Sequence, residues 1–113
     1  MPQIRDIKTD ELELVKGLIA LTDKDYLLHS IPKFVFDLDD DGMGSIQFDI
    51  DQTKQHYKDL VVVDYIDIDR VSVSIALSID QDGSLFELDF FKSDFSKLNK
   101  YPTINEVILA KDN

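Results

Sequence analysis

The stretch VSVSIALSID, residues 71–80, decides the fold. Its apolar residues, Val71, Val73, Ile75, Leu77 and Ile79, alternate with Ser, Ala or Asp. Only the two-residue repeat of a β-strand places all of these apolar side chains on one face. The sequence therefore predicts a half-buried antiparallel strand.

A hairpin follows this strand. Asp82-Gly83 is a strong turn signal, and a second alternating stretch begins at Leu85. The alternation predicts one face with Phe86, Leu88 and Phe90 and an opposite face with Leu85, Glu87, Asp89 and Phe91.

Further strands are predicted earlier in the chain. Residues 34–39 and 46–51 alternate in the same way around Asp40-Asp41-Gly42, which indicates another hairpin. Residues 58–67 form a strand whose register stays open, because both of its faces are apolar.

The first third of the chain has a helical repeat instead. Leu14, Val15, Leu18 and Ile19 form one apolar stripe, and a second short helix is predicted before Pro32. Gly17 inside the first helix costs about 1 kcal/mol relative to Ala, which favours a close packing contact there.

These elements predict an α+β fold in a single domain, residues 1–113. We expect one or two N-terminal helices packed on a mainly antiparallel sheet of about five strands, in two layers.

The composition is strongly acidic. The 113 residues include 23 Asp and Glu against 12 Lys and Arg, for a formal net charge of -11. This charge disfavours binding to nucleic acid phosphates and to anionic membranes, and it favours a basic partner. Without Cys, a disulfide framework, a thiolate nucleophile and Cys-ligated zinc are excluded. The sequence has no signal-peptide pattern and no apolar run of membrane length, so we expect a cytoplasmic protein.

One partial motif resembles a calcium site. Asp37-x-Asp39-x-Asp41-Gly42 matches the start of an EF-hand loop, but Phe48 occupies the position of the bidentate Glu. The flanking residues also alternate like strands, which favours an Asp-rich hairpin loop whose side chains bond their own backbone. A calcium-dependent binding module stays an alternative.

A small hydrolase or isomerase with His56 and a carboxylate is a further alternative. Neither His56 nor His29, the two histidines of the chain, lies in a known catalytic zinc motif. We therefore predict no enzyme activity, no catalytic residue, no metal ligand and no cofactor.

Acidic residues concentrate from Asp37 onward. Six acids and no base lie between Asp37 and Asp51. If Phe34 and Phe36, Ile46 and Phe48, and Phe86 and Leu88 point to the core, the acids between them point outward. Carboxylates on such a face would steer and pair with a basic protein, and aromatic side chains would add contact area. The alternative is an acidic surface that only keeps the protein in solution. The candidate contact residues are Asp39, Asp40, Asp41, Asp49, Tyr65, Asp67, Glu87, Asp89 and Phe91.

Two segments, DGMGSIQF at 41–48 and DGSLFELDFFKSDF at 82–95, resemble a family of small, acidic, uncharacterised bacterial domains. The family pattern has a Gly-Met-Gly-Ser loop before a strand, then a Leu-Phe-Glu-Leu-Asp strand, a Lys-x-Asp-Phe segment and a Pro. Its counterparts here are Gly42–Ser45, Leu85–Asp89, Lys92–Phe95 and Pro102, with Phe91 where the pattern has Trp.

Such domains look like immunity proteins of contact-dependent growth inhibition and polymorphic-toxin systems. The resemblance implies a protein that binds and neutralises a cognate antibacterial toxin. The net charge adds the expectation that this toxin is a basic nuclease, such as an RNase. A homodimer through exposed apolar residues stays open.

Overall fold

A computed structural model of the protein describes residues 3–110. Residues 1–2 and 111–113 of the expected domain lie outside the described residues.

Within residues 3–110, seven strands form one antiparallel sheet. Their bounds are β1 Ile4–Asp6, β2 Phe34–Asp37, β3 Ile46–Gln47, β4 His56–Ile66, β5 Ser72–Asp80, β6 Leu85–Lys92 and β7 Ile108–Leu109. Their order across the sheet is β1-β2-β3-β6-β5-β4-β7. The α+β class is confirmed, whereas the expected count of about five strands is too low. The additional strands, β1 and β7, are the two edges of the sheet.

The predicted β5–β6 hairpin is present, but the start of β6 departs from the predicted alternation, and Phe86 lies outside the core cluster. Val73, Ile75, Leu77 and Ile79 of β5 are buried. Leu85 is predicted to face outward, but this is wrong, because Leu85 is buried in the same core. Ser78 pairs with Glu87 while Ile79 pairs with Leu85, so an extra β6 residue at this point reverses the alternation.

β4 pairs with β5 along most of its length, with two register shifts. Its Val61, Val63 and Tyr65 face the core, and its other neighbour is the short β7. Tyr65 is 3% exposed, so its expected place on the outward face is wrong.

β2 also differs from the expected alternation. Val35 is fully buried in the core cluster, whereas Phe34 is exposed. Phe36 is buried, but it lies outside that cluster.

A single layer of helical segments covers one face of the sheet. α1, Thr9–Ala20, buries Leu14, Val15, Leu18 and Ile19 in the same cluster as the core residues of the sheet. The predicted second helix is a 3-10 helix, Asp25–His29, and another 3-10 helix spans Ile104–Glu106. Among residues 3–110, none of the helices has the length and apolar character needed to cross a bilayer.

Gly17 has the predicted close contact. A Cβ atom added there would lie 2.6 Å from Cγ1 of Ile104. Gly17 therefore allows the segment around Ile104 to pack directly on α1.

Candidate protein-binding face

The sheet face opposite α1 has no helix of residues 3–110 on it, and we call it the open face. Cross-strand pairs arrange its side chains in three rows. The first row is Ile4, Phe36, Gln47, Glu87, Ser78 and Asp59, the second is Asp89, Ala76 and Val62, and the third is Phe91, Ser74, Asp64 and Ile108.

Acidic side chains of β4 and β6 flank the small side chains of β5 on the open face, and we call this arrangement the acidic groove. Its floor is β5, where the small side chains of Ser74, Ala76 and the buried Ser78 lie on this face. One wall is β6, with Glu87 and Asp89, and the other wall is β4, with Asp59 and Asp64. Because neighbouring strands lie about 4.8 Å apart, the walls are roughly 10 Å from each other. None of the side chains in the three rows, all within residues 3–110, belongs to Lys or Arg.

Glu87 lies half-buried in the first row. Burial and the nearby charge of Asp89 raise the pKa of its carboxyl. Gln47 Nε2 donates a long hydrogen bond of 3.5 Å to Glu87 Oε2, which offsets this only in part. The net effect of its surroundings is therefore to disfavour the ionised form of Glu87.

His56 lies beside the first row. Its Nε2 is 2.9 Å from Asp59 Oδ1, and its ring meets Phe86 edge-on at 6.2 Å. A hydrolase or isomerase would use the pair of His56 and Asp59. Both side chains are about half exposed to solvent, so a reacting group there would not be shielded from water.

Three predicted contact residues lie together on the open face. Glu87, Asp89 and Phe91 succeed one another on the outward side of β6. Asp59 and Asp64 of the opposite wall were not among the predicted contacts, because the register of their strand could not be fixed from sequence.

The prediction that Asp67 contacts a partner is wrong. Asp67 is 2% exposed and forms an ion pair with the fully buried Lys92. Lys92 Nζ donates to Asp67 Oδ2 at 2.8 Å, to Asp69 Oδ2 at 2.7 Å and to the Lys97 carbonyl at 2.9 Å. The backbone N–H of Asn99 donates to Asp67 Oδ2 at 2.8 Å. Asp67 therefore ties segment 97–100 to the sheet and is not available to a partner.

The ionised state of this pair is stabilised on both sides. Burial opposes the charge of Asp67, but the Asn99 N–H and the Lys92 ammonium outweigh it and lower the pKa of Asp67. Burial likewise opposes the charge of Lys92, and the carboxylates of Asp67 and Asp69 outweigh it and raise the pKa of Lys92.

Tyr65 has a structural role of the same kind. Its hydroxyl donates to the Lys100 carbonyl at 2.9 Å. The ring is buried in the core, so it cannot serve as an exposed anchor.

The remaining predicted contacts lie in loops. Asp40 Oδ2 accepts the Ser45 N–H at 2.9 Å, and Asp49 Oδ2 accepts the Lys54 N–H at 2.8 Å. The Asp40 bond is of the side chain-to-backbone kind expected for the Asp-rich hairpin loop. Asp39 and Asp41 are exposed.

Asp37, the first carboxylate of the possible calcium loop, is already paired with Arg5. Arg5 Nη2 donates to Asp37 Oδ1 at 2.7 Å, and Arg5 Nε donates to Asp37 Oδ2 at 3.1 Å. Across residues 3–110, no group of three or more His, Cys, Asp or Glu is placed to hold a metal ion.

A cavity of about 620 Å³ lies away from the open face, between the first turns of α1 and residues 101–104. Tyr101 lines it, and burial raises the pKa of its hydroxyl. That hydroxyl has no hydrogen-bond partner within residues 3–110. The sequence pattern fades after Lys92 and gave no sign of this cavity.

The fold and the open face together define an α+β protein with an open antiparallel sheet. The chain belongs to a family with a domain of unknown function, DUF6984, which matches residues 4–102. The matched region contains every strand except β7. No curated protein and no solved structure matches the chain.

Proposed function

We propose that the protein is an immunity protein that binds and neutralises a cognate antibacterial toxin in the cytoplasm. The toxin is a basic nuclease, such as an RNase. The observation that supports this most is the open face, whose groove has acidic walls and no Lys or Arg among its row residues.

The chemistry of a nuclease cleft fits this groove. Such a cleft binds phosphates through Lys and Arg side chains. The carboxylates of Glu87 and Asp89, with Asp59 and Asp64 across the groove, would pair with those cations in place of phosphate. Opposite net charges would also accelerate association.

Glu87 is the central contact in this proposal. In the free protein its half-buried carboxylate lies beside Asp89, and its pKa is raised. A Lys or Arg from the toxin would remove that repulsion, so the pair forms only in the complex. The interaction therefore contributes to binding and not to folding.

The test is co-expression of the chain with the protein encoded immediately upstream of it, which the proposal predicts to contain the toxin domain. We expect the chain to restore growth, to co-purify with the toxin domain, and to inhibit its nuclease activity stoichiometrically. If the chain neither restores growth nor co-purifies, the proposal is wrong.

A further inference from the structure

Two aromatic side chains lie in contact at one end of the open face. Phe91 is 46% exposed and Phe95 is 64% exposed. Their ring centroids are 5.3 Å apart, and the planes meet edge-to-face at 87°. Large apolar side chains that contact each other in solvent are typical of interaction sites.

The backbone of Phe95 is unfavourable for folding. Its φ is 63°, in the left-handed region that a bulky aromatic residue rarely adopts. Glycine would adopt this conformation without the steric cost. Strain of this kind persists where the surrounding structure enforces it, and it is concentrated at functional sites.

The loop that carries Phe95 is held in place. The Phe95 N–H donates to the Lys92 carbonyl at 2.9 Å, and the Leu98 N–H donates to the Gly42 carbonyl at 3.2 Å. Asp94 Oδ1 accepts from the Ser96 N–H at 3.0 Å. The backbone position of Phe95 is therefore fixed before any partner arrives, which lowers the entropy that binding would cost.

We infer that Phe91 and Phe95 are the apolar anchor of the interface, inserted into a pocket of the toxin that Arg or Lys residues border. This inference rests on the proposed function. Asp89 precedes Phe91 on the same side of β6, and Asp64 lies across Ser74 in the row of Phe91. An Arg of the partner could pair with either carboxylate while it packs against the rings. A second copy of this chain fits less well, because its acids would meet these acids.

The first arm of the test needs only the chain itself. Phe95→Gly should raise Tm by a few degrees, because it relieves the left-handed backbone and removes an exposed side chain. The control, Tyr26→Gly, changes an exposed aromatic residue on the helix side whose φ is not positive, and it should lower Tm. If Phe95→Gly lowers Tm as well, Phe95 serves the fold and the inference is overturned.

The second arm measures affinity for the toxin domain by calorimetry. Phe95→Ala and Phe91→Ala should each weaken binding by about tenfold or more, whereas Tyr26→Ala should stay within about threefold. If the wild-type chain binds and both Phe variants bind equally well, the anchor is wrong and the proposed function stands. If the wild-type chain does not bind the toxin domain, the anchor and the proposed function are both wrong. A wild-type dimer that Phe95→Ala separates would assign the anchor to a second copy and overturn the inference.

Discussion

At the scale of single residues, the ion pair of Lys92 and Asp67 fixes the end of the sheet. Both side chains are fully buried, and they join the β4–β5 turn to segment 97–100. Replacing one member of such a pair leaves the other as an uncompensated buried charge. The Lys-x-Asp-Phe segment that begins at Lys92 therefore has a structural role at its first position.

We expect Lys92→Met to lower Tm by roughly 10 °C at pH 7, because Asp67 would lose its counter-charge in the core. Thermal unfolding followed by circular dichroism measures this. Lys54→Met, which removes the exposed ion pair with Asp82, is the control and should change Tm little. A loss no larger for Lys92→Met than for the control would contradict the role assigned to the buried pair.

The same pair predicts a pH dependence. The pKa of Asp67 is lowered from 3.8, so its stabilisation is complete above 3.8 and is lost as pH falls through the lower folded value. The pKa of Lys92 is raised from 10.5, so its stabilisation is complete below 10.5 and is lost at higher pH. The Tm difference between wild type and Lys92→Met should therefore shrink as the solution is made strongly acidic, because protonation of Asp67 removes both the ion pair of the wild type and the unpaired charge of the variant. A difference that stays unchanged in strong acid would contradict this.

The ionisation of Glu87 changes the stability of the fold in the opposite direction to that of Asp67. Its folded pKa is raised above 4.5, so its ionisation destabilises the fold at neutral pH, and this effect disappears at pH 4.5 and below. We expect Glu87→Gln to raise Tm at pH 7.5 and to have a smaller effect at pH 4.5, measured by scanning calorimetry. Asp23→Asn, an exposed acid, serves as the control. A lower Tm for Glu87→Gln at pH 7.5 would mean that the fold needs this carboxylate.

At the scale of elements, strands within long alternating stretches could be predicted, and the two short edge strands could not. β5 and β6 have 9 and 8 residues with one buried face, so the period of two is evident in the sequence. β1 and β7 have 3 and 2 residues, too few for any period, and pairing to neighbours defines them. The extra β6 residue that turns Leu85 inward has no sequence signature, because both Leu85 and Phe86 are apolar.

α1 and the second 3-10 helix pack against each other where Gly17 meets Ile104. Gly17→Ala gains about 1 kcal/mol of helix propensity, but the new methyl group meets Ile104, and overpacking costs about 1–3 kcal/mol. We expect a net loss of about 1 kcal/mol in the free energy of unfolding, measured with urea.

A double-mutant cycle supplies the control for Gly17. Ile104→Ala alone should destabilise the protein, but the double variant should lose less than the sum of the two single losses, because the clash is removed. A Gly17→Ala variant more stable than wild type would show that α1 and Ile104 separate easily.

At the scale of the whole molecule, the two faces of the sheet differ in what covers them. The helix side holds the core, and the open face holds an acidic groove with Phe91 and Phe95 at one end. Sequence alternation placed Glu87, Asp89 and Phe91 there correctly. It could not show that Asp67 and Tyr65 are buried, because Lys92 and the Lys100 carbonyl, which pair with them, are distant in sequence.

Binding through the open face is tested most directly by comparing two charge-matched variants in calorimetric binding to the toxin domain. Glu87→Gln/Asp89→Asn removes two charges from the open face, and Glu13→Gln/Asp23→Asn removes two exposed charges in or just after α1. If the open face binds the toxin, the first variant should weaken binding by about tenfold or more and the second by less than about threefold. Added salt should narrow the difference. Equal losses of affinity in both variants, or no loss in either, would contradict binding through the open face.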